Sequence, residues 1–340
     1  MPSNFVSPLY ATAQLQAHEH RSNHDFLAAA NSAHDAAEIA RDAGDAESWW
    51  NMTFVQAENL LDAADFAECA ALAAELVYGP RATPGRQAQA RAYVLLAKAR
   101  QGAGLLEQAA EAARAAVDLG TEDDAETNVR ARQALIAALA ESGRLEEAWI
   151  ESLALGEAIS AEVDDQLLGK GYWVIGNVAF LCNKVLEGLQ YHELAAATFS
   201  PARNLDIWAK FNNASAAMRL AADIADADTL RCIERAELAT DVIGGSANDY
   251  LLVRLNRGHW NFLAGDPFAA IEILEGICAV EEETAAQVLG VACLLLGRAY
   301  LAVGNGCAAR EHLLAAAEHF EAAGAQQRAD EARKLLTTEM

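Results

Sequence analysis

Basic residues are scarce in this 340-residue chain, where 25 lysines and arginines face 49 aspartates and glutamates for a formal net charge of -24. Binding a phosphate backbone needs a basic footprint that releases counterions, so the balance argues against nucleic acid as a direct partner. Proline occurs six times and aromatic residues make up 7% of the chain. No strand pattern is evident, and apolar runs stop well short of the ~20 residues that cross a bilayer, so no membrane partner is expected. The first twenty residues hold no basic start followed by an apolar stretch, and Arg21 is the first cation, so no secretory signal is visible. The six cysteines, Cys69, Cys182, Cys232, Cys278, Cys293 and Cys307, lack paired metal spacing and sit mostly in apolar contexts. They read as reduced core residues of a cytoplasmic protein.

Catalytic signatures are also missing. No glycine-rich loop follows a strand, and neither a GxSxG nor an HExxH run occurs, so no enzymatic activity is expected. The nearest approach to a metal set is His18-Glu19-His20 with His24 and Asp25, in which His20 and His24 are four apart. Asn23 to Phe26 reads as an interhelical turn, however, which takes His24 off that face. His312 and His319 read as ordinary helix-surface residues. No metal and no cofactor are expected.

What is present is a period. Ala29, Cys69, Ala109, Ala148, Gly188, Thr229, Ala270 and Ala309 fall 39 to 41 residues apart. Twelve residues before each stand Ala17, Ala57, Ala97, Ile136, Gly176, Ala217, Gly258 and Gly297, nearly all small. Antiparallel helices approach closely only where side chains are small, so these positions read as the contact between a helix A and a helix B. Between them, Ala64, Gly104, Gly143, Gly265 and Gly304 stand where a tight turn reverses the chain, with Phe26, Phe66, Leu106, Leu145 and Val185 as plugs beneath. In the sixth unit Ile224 takes the place of the turn glycine and Asp226 that of the plug. Its register is the weakest.

Residues 8 to 325 carry this grammar, most legibly in Leu296-Gly297-Arg298-Ala299-Tyr300, Gly304-Asn305, Ala309 and Ala316. In it the chain resembles the tetratricopeptide repeat family. Its units exceed the usual length of about 34 residues, in the manner of the long-helix MalT-type regulators and Rap-type receptors of bacteria. Nothing before Tyr10 reads as the DNA-binding helix-turn-helix of such regulators. The resemblance implies an all-α, right-handed superhelical solenoid of about eight helix-turn-helix repeats with a C-terminal capping helix. As one domain over 1–340, the repeats run approximately 8–45, 46–80, 85–121, 122–163, 165–200, 203–244, 246–282 and 283–324, with a cap at 326–338. The breaker cluster from Tyr78 to Arg86 is the one possible hinge. Shorter breaks fall at Gly120 to Asp124, Ser200-Pro201 and Gly244-Gly245-Ser246.

In the resembling family, side chains eleven, fifteen and eighteen positions before the marker line a concave wall. Here these positions include His18, Asn51, Phe54, Glu58, Arg91, Lys98, Arg130, Gln133, Lys170, Trp173, Asn177, Phe211, Met218, His259 and Arg298. The resemblance therefore brings Arg91, Lys98, Arg130 and Lys170 together, beside Trp173, Asn177 and Phe180. Salt bridges to neighbouring repeats, with Glu58 or Glu141 for instance, are one use of such cations; binding a carboxylate of an extended peptide is the other. Trp173 stands where the chaperone-type carboxylate clamp has Lys, so the clamp itself is not reproduced. The expected function is a non-catalytic, regulatory scaffold for a peptide or protein. Self-association, as in a homodimer, and small-molecule sensing are the alternatives.

Overall fold

Carboxylate and amide caps mark many of the helix starts, the first three of them at half the period of the repeat. Asp25, Asp45 and Asp65 accept from the backbone N–H three residues on, at Ala28, Ser48 and Glu68, and Asp266 and Asn305 do the same late in the chain. Each cap satisfies a donor that a helix start leaves open. The computed structural model describes residues 7–79, 85–120, 124–159, 164–279 and 284–338. Among these lie 17 helices and no strand. No helix of them is long and apolar enough to cross a membrane.

The chain forms two compact units, Met1–Thr198 and Phe199–Met340. The first holds α1 (Pro8–Ser22), α2 (Phe26–Asp42), α3 (Ala46–Asp62), α4 (Phe66–Tyr78), α5 (Arg86–Gly102), α6 (Leu106–Leu119), α7 (Ala125–Glu141), α8 (Leu145–Ala158), α9 (Asp165–Leu181) and α10 (Val185–Thr198). The second holds α11 (Leu205–Ala221), α12 (Ala227–Ile243), α13 (Ala247–Leu263), α14 (Pro267–Cys278), α15 (Ala286–Ala302), α16 (Gly306–Ala322) and α17 (Gln326–Thr338). Odd-numbered helices up to α15 are the A members of helix pairs, and even-numbered helices are the B members. Residues 80–84, in the middle of the possible hinge, and 121–123, in the break before α7, lie outside the described residues.

The small residues sit where the close-approach argument requires. All eight markers are buried, and seven of the eight expected partners are buried with them. The tightness is visible at Gly297, where an added Cβ would lie 2.7 Å from Leu313 Cγ and 3.3 Å from the Ala309 carbonyl oxygen. The sixth unit corrects the register. Ala216, thirteen before Thr229, is fully buried, whereas Ala217 is half-buried. The cause is a longer link: Ala222 to Asp226 joins α11 to α12, where three residues suffice at Ala63, Ala64 and Asp65. The left-handed turn residue there is Asp223, at φ 58°, and not Ile224. His24 and Asn183 hold the same conformation in the first and fifth units, at φ 59° and 58°. His24 is thereby off the α1 face that carries His20, and no group of three metal-ligating side chains forms among the described residues.

Alanine buries little area per residue, so the core is spread along each unit rather than centred. In the first unit Trp50 stacks on Phe54 at 5.4 Å, and Met52, Leu95, Leu96, Leu135 and Ile175 continue the apolar spine. In the second, Ala329 and Ala332 of α17 bury against Phe320, Ala316 and Cys293. That helix covers the apolar face which the eighth pair would otherwise expose.

Candidate functional site

Four consecutive A helices of the first unit, α3, α5, α7 and α9, are each 17 residues long and repeat at the same period. Equivalent positions therefore fall at equivalent heights. Arg91, Arg130 and Lys170 are all the sixth residue of their helices, while Glu58 and Lys98 are both the thirteenth. Seven residues of α-helix separate the two levels by about 10 Å. The result is a cavity of about 610 Å³ lined by all four wall cations together with Arg21, Phe54, Glu58, Asp62, Asp124 and Glu126.

The charges in it are not equivalent. Arg21 is committed, donating to Asn59 Oδ1 at 2.6 Å and Asp62 Oδ2 at 2.7 Å. Arg130 is held by Glu126 one turn earlier, through Nε at 3.0 Å and a second nitrogen at 2.6 Å to the same oxygen. Arg91 lies over the Phe54 ring at 4.6 Å, lines the cavity and makes no ion pair among the described residues. Lys98 and Glu58 stand on neighbouring helices at one height, yet neither makes an ion pair among the described residues. Asp124 spends one oxygen as the cap of α7, at 3.1 Å from Thr127 N, and its buried Oδ2 has no hydrogen-bond partner.

The titration behaviour follows. Lys98 is accessible from the cavity but surrounded by protein on the concave side. That desolvation lowers its pKa, and Arg130 and Lys170 add like-charge repulsion that Glu58 and Asp62 only partly offset. Glu58 shifts upward for the same first reason, with Arg21, Arg91 and Lys98 opposing. Both groups are charged at a cost that a bound counter-charge would relieve.

The remaining wall residues fall elsewhere. Gln133 donates to the Leu167 carbonyl at 3.4 Å. Asn177 Oδ1 meets His192 Nε2 at 3.0 Å, and Phe180 packs on Gly188 and on His192, 5.2 Å between rings. Trp173 is half-buried and does not line the cavity. The aromatic and amide side of the expected groove is thus largely contact between α9 and α10. Phe211, His259 and Arg298 belong to the second unit. Phe211 is 2% exposed and packs on Phe199, and Arg298 lies over the Phe262 ring at 4.9 Å. Glu141 accepts from Gln101 Nε2 at 2.7 Å instead of meeting a wall cation. Sequence reading passed over Arg21, Asp62, Asp124 and Glu126. The spacing of Glu126 four before Arg130 signalled its pairing, but nothing local marked Arg21 or Asp124, whose partners come from other helices or from helix capping.

Helix pairs packed in series within each unit, with small residues at nearly every A–B contact, define an all-α helical-repeat fold of the tetratricopeptide-like kind. No protein-family model matches the chain, and no curated protein matches it in sequence. Among solved structures, aspartyl phosphate phosphatase F from Bacillus subtilis superposes with a TM-score of 0.64 at 13% identity, over 94% of this chain and 85% of that one. At that identity the likeness concerns the fold. The APC/C hetero-tetramer Cut9-Hcn1 aligns over 97% of this chain and 96% of its own at 14% identity, but its TM-score is 0.27.

Proposed function

We propose that this protein is a non-catalytic scaffold that holds an extended peptide segment, with an acidic group of the ligand seated in the first unit's cavity. The observation that carries the reading is Lys98: a cation held beside two others, without an ion pair among the described residues, in a protein whose charge is otherwise strongly negative. A carboxylate there gains charge-assisted hydrogen bonds worth ~1.5 to 3 kcal/mol each. The cavity has the volume of a small-molecule site, ~300 to 1,000 Å³, but lacks the mostly apolar lining of one. A regulatory role in the cytoplasm, reached through the bound segment, completes the proposal. The test is calorimetry on a peptide that co-purifies from the native host. Lys98→Glu is expected to weaken binding by more than tenfold at low salt, and Trp173→Ala to leave it unchanged. Equal affinity in wild type and Lys98→Glu overturns the placement.

Self-association is the second reading, supported by Leu9 and Leu15 on α1, which are 71% and 70% exposed. Apolar side chains on a terminal repeat are what a second copy would cover. Light scattering that shows a monomer at high concentration removes this reading.

A further inference from the structure

The cavity offers more than cations. Along the common helix axis its charges come in bands: Asp124 and Glu126 at the entry end of α7, then Arg91, Arg130 and Lys170 at the sixth position, then Glu58 beside Lys98 at the thirteenth, then Asp62. Arg130 and Glu126 satisfy each other, as do Arg21 and Asp62. What is left without an ion pair among the described residues is of both signs, Arg91 and Lys98 on one side and Glu58 on the other, with Asp124 Oδ2 as a spare acceptor at the far end. A cavity built only for an anion would gain nothing from Glu58, which weakens the field of Lys98 next to it. A cavity whose charges served only the fold would have closed the Lys98–Glu58 pair, since the two stand at one height on adjacent helices about 8 to 10 Å apart. Each of them instead points to a charge brought from outside.

We infer that the cavity takes a peptide segment of mixed charge, in which an acidic side chain meets Lys98 and Arg91 while a basic side chain about three residues away meets Glu58. The inference rests on the peptide-binding reading above and adds the second half of the ligand. The spacing comes from geometry: Lys98 and Glu58 stand at one height on adjacent helices about 8 to 10 Å apart, and an extended chain advances about 3.3 Å per residue. A segment of zero net charge also approaches a protein of charge -24 without the repulsion that an all-acidic segment meets. Burial disfavours the charged forms of Glu58 and Lys98 by more than their mutual attraction offsets, and a ligand bearing both charges would relieve both.

Three blocked eight-residue peptides of glycine, serine and alanine test this, one carrying a glutamate and a lysine three positions apart, one only the glutamate, one only the lysine. Ligand-observed NMR on the full-length protein at low salt reads their relative affinities. The mixed peptide is expected to bind at least fivefold more tightly than the glutamate-only peptide. In Glu58→Gln, a substitution of nearly unchanged shape, that advantage is expected to vanish while the glutamate-only peptide binds as before or better. Lys98→Gln is expected to weaken both. Equal binding of the mixed and glutamate-only peptides to the wild type overturns the inference and leaves an anion-binding scaffold standing. An advantage that persists in Glu58→Gln overturns the assignment of the basic seat. Silence of all three peptides overturns both this inference and the placement of the ligand in the cavity.

Discussion

The A helices of the two units share one repeat and use their wall positions in opposite ways. In the first unit, Arg91, Lys98, Arg130 and Lys170 face an open cavity, and Lys98 makes no ion pair among the described residues. In the second, Arg298 at the corresponding thirteenth position, and side chains elsewhere in the unit, are taken up by the unit itself. Arg298 lies on Phe262, Arg328 of α17 lies on Phe320 at 4.4 Å, and Asn256 donates to the backbone and side-chain oxygens of Asn213 at 2.9 and 2.6 Å. Burial, with Arg298 nearby, pushes the His259 imidazole down to about 4. At the thirteenth helix position, Lys98 of the first unit thus makes neither an ion pair nor a ring contact among the described residues, whereas Arg298 of the second lies on an aromatic ring.

The hardest way to break the comparison is to break the repeat common to both units. Ala148 is fully buried at the contact between α7 and α8, so Ala148→Phe is expected to cost about 3 kcal/mol by overpacking. Thermal unfolding followed by circular dichroism measures it, and an unmoved midpoint would refute the register. Next in size is the pH response of the second unit. Above pH 6.5 His259 is neutral in both folded and unfolded chains; between 6.5 and about 4 only the unfolded chain takes up the proton, so stability is lost as pH falls through that window. A shift of this extent is worth about 2 kcal/mol after allowance for partial solvent screening. His259→Gln is expected to flatten the fall, read from hydrogen exchange of α13 at pH 7 and pH 4.5.

Smaller effects sharpen the contrast between open and occupied cations. Lys98→Gln is expected to change stability by less than about 0.5 kcal/mol, since no ion pair is lost. Arg298→Gln is expected to cost about 0.5 to 1 kcal/mol through the lost contact with Phe262, and to raise the His259 pKa by removing a neighbouring charge. Denaturant unfolding of the two variants, with NMR titration of His259, compares them directly. A larger loss for Lys98→Gln than for Arg298→Gln would show that the first unit's cations serve the fold after all.

The repeat was legible in the sequence because a close helix contact admits only small side chains, and small residues at a fixed period need no knowledge of the third dimension to be seen. The register failed only in the sixth unit, where the extra length between Ala221 and Ala227 moved the contact to Ala216 and the left-handed turn to Asp223. Convergence of Arg91, Lys98, Arg130 and Lys170 was legible for the same reason: a period places equivalent residues on one wall. Which of them stay open was not legible. Glu126 takes Arg130 from one turn away, Asp62 takes Arg21 across two helices, and the pairing of Asn177 and Phe180 with His192 withdraws them into the contact with α10. Sequence by itself determined where each side chain begins, since backbone geometry repeats. Only the tertiary structure decided where each one ends, because a long charged side chain chooses among neighbours that the period does not specify.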